Sequence, residues 1–356
     1  MPPVGMSRMA KLFALNKPGF NLPRGAFIAG VMLVPLIVLA ALHEEKYFLS
    51  MSFAVLFVGL SDPGGSFGRR AQEMSVVGLL GALLTALGFG IAGAAWGFVV
   101  LAAFLITLLG GLAMKFGLHR FVAGALLNAW FLVALAMPAG YAADRIQTNA
   151  WAQALAWLIG AALWVGFVCV MWLARGRSSR PEPVPEIPGD VSVVELTRPV
   201  ILFAVIRALA VSFAVAIAFG LHVPNADWMP IATFVAMKSS LQQSALAAEQ
   251  RLAGALIGAV IAVLVLLTMT NRHALQLLLV VLGALAASVR TVNYALYTAM
   301  IAAFVLIGMD IPHPTNLANE ERRVLFTFVG VGIATLVMLL ANLVQKRTAR
   351  PTPQAT

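Results

Sequence analysis

The stretches DPGGSFGRRAQEMSVVGLLGALL (residues 62–84) and KSSLQQSALAAEQRLAGALIGAV (residues 238–260) lie in separate apolar blocks and align at one fixed offset. That offset places Glu73 on Glu249 and Gly78 on Gly254. Other anchors keep their order with small drifts: Arg24 with Arg198, Arg120 with Arg290, Gly160 with Gly330. Two alanine-rich apolar halves align somewhere by chance, but charged anchors in a shared order argue for a duplication. A chain built twice from one membrane block forms a path between its halves, so the pattern points to transport.

Composition fixes the solvent. Hydrophobic residues make up 61% of the 356 residues and charged ones 11%, against about 25% charged in soluble domains. No soluble interior buries that much apolar surface, so the surroundings are lipid. The net charge of +10 does not imply nucleic acid, because the basic residues sit at the edges of apolar runs rather than in a patch with aromatics. Cys169 is the one cysteine and can form no internal disulfide. Arg8, Lys11, Lys17 and Arg24 precede the first apolar run, and no small-residue cleavage site follows it. The expectation is an uncleaved first helix.

A membrane helix needs ~20 mostly apolar residues to cross ~30 Å of hydrocarbon. Apolar runs occur at 25–43, 47–60, 74–91, 94–114, 118–137 and 150–174, then at 199–221, 228–241, 252–269, 274–289, 293–309 and 324–344. The predicted fold is therefore an all-α polytopic membrane protein of about twelve transmembrane helices, arranged as two six-helix repeats. Its domains are a cytoplasmic segment (1–24), a first block (25–174), a proline-stiffened linker (175–195), a second block (196–345) and a tail (346–356). Lysine and arginine set the orientation. With the N-terminus inside, the inner loops of the first half carry eleven basic residues and the outer loops only Lys46 and Arg145. The second half repeats this bias more weakly. Both termini then face the cytoplasm, and an even number of helices per block makes the repeats parallel.

Charges within hydrocarbon are costly, so they face a bundle interior, a cavity or a partner. Lys238 lies ten residues past Trp228, ~15 Å down its helix at 1.5 Å per residue. Arg207 lies nine residues past Arg198, ~13 Å in from the other face. Such a pair can hold an anion; alternatively Arg207 snorkels to the headgroups and Lys238 pairs with a carboxylate. Asp62 is the repeat counterpart of Lys238 and precedes Pro63, Gly64 and Gly65. It sits either at a break within the membrane, where it can carry a proton, or in a turn at the membrane edge. Tyr294 and Tyr297 either hydrogen-bond across the bundle or stack on an aromatic substrate. Glu73 and Glu249 read as acids complementing the start of each third helix. The five histidines lack metal-ligand spacing, and no catalytic constellation stands out, so neither enzyme nor cofactor is expected.

At YFLSMSFAVLFVGL, SDPGGSFGRR and SVVGLLGALLTALG, and at WMPIATFVAMKSSLQQS, EQRLAGALIGAVIAVL, NYALYTAMIAAFVL and RVLFTFVGVGIA, the chain resembles the fusaric acid resistance family and the related aromatic acid exporters. The resemblance implies a bacterial inner-membrane exporter of organic, often aromatic, carboxylates, in some members working with a periplasmic adaptor protein. The six-helix block is also similar to that of plant aluminium-activated malate transporters. The expected function is export of small organic anions bound between the repeats near the midplane. Lys238, Arg207, Asp62, Tyr294 and Tyr297 are the candidate contacts, and Asp62 is the candidate proton carrier. A channel-like anion pathway and a non-transporting scaffold are the alternatives.

Overall fold

Asparagine side chains start several of the helices. The computed structural model describes residues 12–143, 145–177, 196–221, 226–237, 245–311 and 317–348. In it Asn21 Oδ1 accepts from the N–H of Arg24 at 3.0 Å, and α1 runs Leu22–Leu42. The N-cap oxygen answers one of the orphan donors that every helix leaves at its start. Asn149, Asn271 and Asn293 do the same for later helices. In order these are α2 (Phe48–Leu60), α3 (Phe67–Ile91), α4 (Trp96–Leu112), α5 (Leu118–Ala143), α6 (Ala150–Ala174), α7 (Arg198–Val215), α8 (Trp228–Ala236), α9 (Ala245–Thr268), α10 (Arg272–Val289), α11 (Tyr294–Asp310) and α12 (Leu317–Thr348). Among the described residues there is no strand. Eight of the described helices are long and apolar enough to cross a membrane, and Tyr294–Asp310 and Leu325–Ala341 are shorter apolar ones. Most of the linker expected at 175–195 falls outside the described residues, as do residues 1–11, the tail beyond Thr348, and Lys238.

The apolar runs locate every helix, but not every boundary. α6 starts and stops where its hydropathy does. α3 begins at Phe67 and α9 at Ala245, each about two turns ahead of its apolar run. The polar segments FGRRAQE and ALAAEQR are made mainly of good helix formers, so the helix continues past the hydrocarbon. Glu73 consequently lies in the second turn of α3, where it meets Arg69 at 3.6 Å and Arg120 at 3.4 Å.

Packing pairs in the first half recur in the second. α2 packs on α6 and α3 on α5; correspondingly α8 packs on α12 and α9 on α11. The halves meet reciprocally, with α1 along α10 and α4 along α7. Gly160 of α6 faces the carbonyl of Met51 in α2, and Gly330 of α12 faces the carbonyl of Met229 in α8. A Cβ at either glycine would collide with that oxygen, so only glycine lets these helix pairs touch backbone to backbone. The halves also differ: Gly78 of α3 lies against Ala161 of α6, whereas Gly254 of α9 lies against Ala295 of α11.

The two short helices are the innermost. All thirteen residues of α2 are buried, and so are eight of the nine in α8. At 1.5 Å per residue α2 spans ~20 Å, less than the ~30 Å of hydrocarbon, so its end lies within the protein. The segment before α1 crosses to the other half. Asn293 Nδ2 donates to the carbonyls of Leu12 and Ala14 at 3.0 Å, and Thr291 Oγ1 donates to that of Gly19 at 2.6 Å.

Candidate functional site

The C-terminal end of α2 leaves four carbonyls without helical partners, and each is answered. Ser61 covers two, its N–H reaching the Phe57 carbonyl at 2.9 Å and its Oγ the Val58 carbonyl at 2.9 Å. Arg24 Nη2 donates to Gly59 at 3.0 Å, and Arg290 Nη1 donates to Leu60 at 2.6 Å. α8 ends in the same manner, with Arg251 Nε donating to the carbonyl of Val235 at 2.7 Å. Guanidinium groups at helix C-termini complement the negative end of the macrodipole. Arg290 comes from the α10–α11 turn, so its bond to Leu60 joins the two halves. It is 6% exposed and meets a carbonyl dipole there, not a carboxylate.

Between these capped ends lie the two tyrosines expected from the sequence. Tyr294 Oη accepts from Arg251 Nη1 at 3.3 Å, and its ring stacks on that of Tyr297 at 6.2 Å between centroids. Tyr297 lies within electrostatic reach of Arg290, Arg251 and Arg24. Farther along the seam the halves close on each other. Phe53 of α2 meets Phe304 of α11 at 4.8 Å and Trp130 of α5 at 4.9 Å.

Arg24 also belongs to a cavity of about 720 Å³ inside the first half, walled by the start of α1, the α2–α3 turn and the last turns of α6. Among the described residues its lining holds the guanidinium groups of Arg24, Arg70 and Arg175 and the carboxylate of Asp62. Five aromatic rings line it too: Phe27, Phe67, Trp164, Phe167 and Trp172. Phe67 and Trp172 stack in parallel at 4.3 Å, and Phe167 touches Phe27 and Trp164 at 5.2 and 5.6 Å. Among the described residues the indole N–H groups of Trp164 and Trp172 are buried without an acceptor.

Asp62 lies in the turn after α2, not within a helix. Its Oδ1 accepts from Arg70 Nε and from the Gly64 N–H, both at 3.0 Å, and its Oδ2 accepts from Arg70 Nη2 at 2.6 Å. Gly64 and Gly65 hold φ of +71° and +86°, the left-handed region that glycine adopts without strain. Arg207 lies inside the second half, 2% exposed, its guanidinium 4.2 Å from the Phe234 ring centroid. The structure thus brings Tyr294 and Tyr297 together, places Asp62 in the cavity, and sets Arg207 between α7 and α8.

The candidate residues that sequence reasoning did not single out for the site are Arg24, Arg251 and Arg290, and the aromatic wall of α6. A signal was present. Trp164, Phe167 and Trp172 are spaced so that they share one side of a helix, and the arginines sit beside helices too short to cross.

Fold and packing define a polytopic, all-helical membrane protein with reciprocal halves. Residues 209–337, from α7 into α12, match the family model described as fusaric acid resistance protein-like, which supports that family for this chain. No curated protein and no solved structure matches it.

Proposed function

We propose that this chain is a bacterial inner-membrane transporter that exports small organic anions, aromatic carboxylates foremost. In this reading two parallel six-helix blocks flank the path and both termini are cytoplasmic. The family match supports an efflux-related role in the membrane. The observation that carries the substrate class is the position of Arg24, which lines the aromatic cavity and also caps α2 at the seam. An aromatic acid entering the cavity meets ring faces for its body and guanidinium groups for its carboxylate. It then passes along Arg24 toward Arg290, Arg251 and the two tyrosines between the halves.

Low dielectric strengthens these attractions, since a charge removed from water gains most from a fixed counter-charge. Relative motion of the halves then parts Phe53 from Phe304 and opens the other side. Asp62 couples a proton to this step. Protonation would cost it the charge that holds both bonds to Arg70 and so loosen its grip on that guanidinium, which the substrate carboxylate can then share. Arg207 and Lys238 contribute positive potential from the second half.

The test is accumulation of labelled benzoate, salicylate and an aliphatic dicarboxylate in cells expressing the protein. The expected result is lower aromatic-acid accumulation than in cells without it, restored by Arg24→Ala. Equal accumulation of every acid with and without the protein would overturn the reading. Steady single-channel currents in a planar bilayer would replace the carrier with a channel.

A further inference from the structure

A second cavity, of about 570 Å³, lies between α3, α4 and α5, apart from the aromatic one. Its walls are apolar along most of their length, from Val76, Leu80 and Leu83 of α3 to Ile106 and Leu109 of α4 and Leu127 of α5. Leu83 and Leu109 are 63% and 65% exposed, so the groove opens sideways toward the bilayer. Among the described residues that line it, the charged side chains Glu73 and Arg120 sit at one end, with His119 beside them.

We propose that this groove holds an acyl chain of an anionic phospholipid, with the lipid phosphate at Arg69, Arg120 and Lys115. The length fits one leaflet. Glu73 and Leu84 both line the groove eleven residues apart, ~17 Å along α3. One leaflet contributes about half of the ~30 Å hydrocarbon core. The charged end fits the headgroup. Glu73 is shared between Arg69 and Arg120, leaving one formal positive charge over. Lys115 is exposed two residues beyond the lining residue Ala113, and basic residues at the membrane surface attract anionic lipid. Phe116, 61% exposed beside Lys115, sits at the interface level.

Deeper in, Gly110 of α4 and Gly124 of α5 line the groove where the two helices approach backbone to backbone, so they form its floor. The buried bond of Thr107 Oγ1 to Asn128 Oδ1, at 3.4 Å, leaves those two polar groups paired with each other. A small aromatic acid would occupy only the charged end and leave the apolar length unfilled. A chain with an anionic head uses both. In the orientation proposed above, the lipid belongs to the cytoplasmic leaflet.

The experiment is native mass spectrometry of the detergent-purified full chain titrated with phosphatidylglycerol or with phosphatidylcholine. The expected result is retention of one phosphatidylglycerol at concentrations where phosphatidylcholine is lost. Joint substitution Arg69→Ala, Lys115→Ala and Arg120→Ala should weaken that retention about tenfold, and Glu73→Gln should strengthen it. Ile106→Trp, which fills the groove without touching a charge, should reduce retention of both lipids. A melting curve for each variant confirms that it is folded. Equal retention of the two lipids by the wild type, or unchanged retention by the triple variant, overturns the proposal. Displacement of the bound lipid by equimolar salicylate would instead make the groove a substrate entrance, and overturns it as well.

Discussion

Arg290 of one half donates to the carbonyl of Leu60 in the other at 2.6 Å, across a separation of 230 residues. The bond closes the seam at the end of α2 with a buried charge. Substituting Arg290→Ala removes a charged donor and leaves a buried carbonyl unanswered, at a cost of about 1.5–3 kcal/mol. The expected outcome is a lower melting temperature in detergent and loss of aromatic-acid export. Arg290→Lys keeps the charge without the planar fork, so it should recover part of the export. An Arg290→Ala variant that exports normally would remove this residue from the path.

The aromatic cavity is open to direct measurement. Substituting Trp172→Ala removes the ring stacked on Phe67 in the cavity wall. An aromatic contact is worth about 0.5–1.5 kcal/mol. Salicylate should therefore bind about two- to tenfold more weakly by titration calorimetry. Arg175→Ala should weaken both salicylate and aliphatic acids, whereas Trp172→Ala should spare the aliphatic ones. Loss of affinity for both classes in Trp172→Ala would show that stacking does not set the preference.

Much of this architecture was legible because lipid imposes simple rules. Helices facing hydrocarbon must be long and apolar, and the run at 150–174 gives α6 its ends without adjustment. Where a helix emerges from the membrane, hydropathy marks the hydrocarbon boundary and not the helix boundary, which is why α3 and α9 start earlier than their apolar runs. The site was less legible. Arg24 and Arg290 lie at helix ends, where a one-dimensional reading assigns them to the headgroups. Only three-dimensional packing turns them inward onto the shortened α2. Tyr294 stood out because polar rings in an apolar run are few, while its arginine partner, Arg251, lies in the second turn of α9, ahead of the apolar run, in a segment that reads as cytoplasmic.

The Gly160–Met51 and Gly330–Met229 contacts give a prediction about the duplication. A methyl group added at Gly330 would meet the Met229 carbonyl at 2.5 Å and Ala232 at 2.8 Å. Overpacking of this kind costs about 1–3 kcal/mol. Gly330→Ala and Gly160→Ala should each lower the melting temperature. Gly30→Ala, where no atom lies within 4 Å of the added carbon, should be neutral or stabilising. If Gly330→Ala melts as the wild type does, α8 and α12 are not held backbone to backbone.

Asp62 separates a coupling role from a fastening one. Its side chain and that of Arg70 are 10% and 18% exposed, and losing one partner of a buried pair costs up to about 3–5 kcal/mol. Asp62→Asn mimics the protonated acid, keeps the shape, and removes the carboxylate charge that Arg70 meets there. The expected outcome is lower stability together with export that no longer responds to collapse of the proton gradient. Export that falls with the gradient as in the wild type would leave Asp62 as a fastener of the turn alone.

Phe304 tests how the seam is sealed. It is fully buried and meets Phe53 edge-on at 4.8 Å, ten residues into α11 and so ~15 Å from its start. Truncation to alanine opens a cavity where the two halves touch, at about 3–5 kcal/mol for a buried phenylalanine. In a transporter whose halves alternate, the same truncation removes the closed side of the path. Phe304→Ala should then let labelled benzoate leak from proteoliposomes in both directions without any gradient, whereas Phe304→Leu, which refills most of the volume, should not. A Phe304→Ala protein that remains folded and tight to benzoate would place the path elsewhere than between α2 and α11.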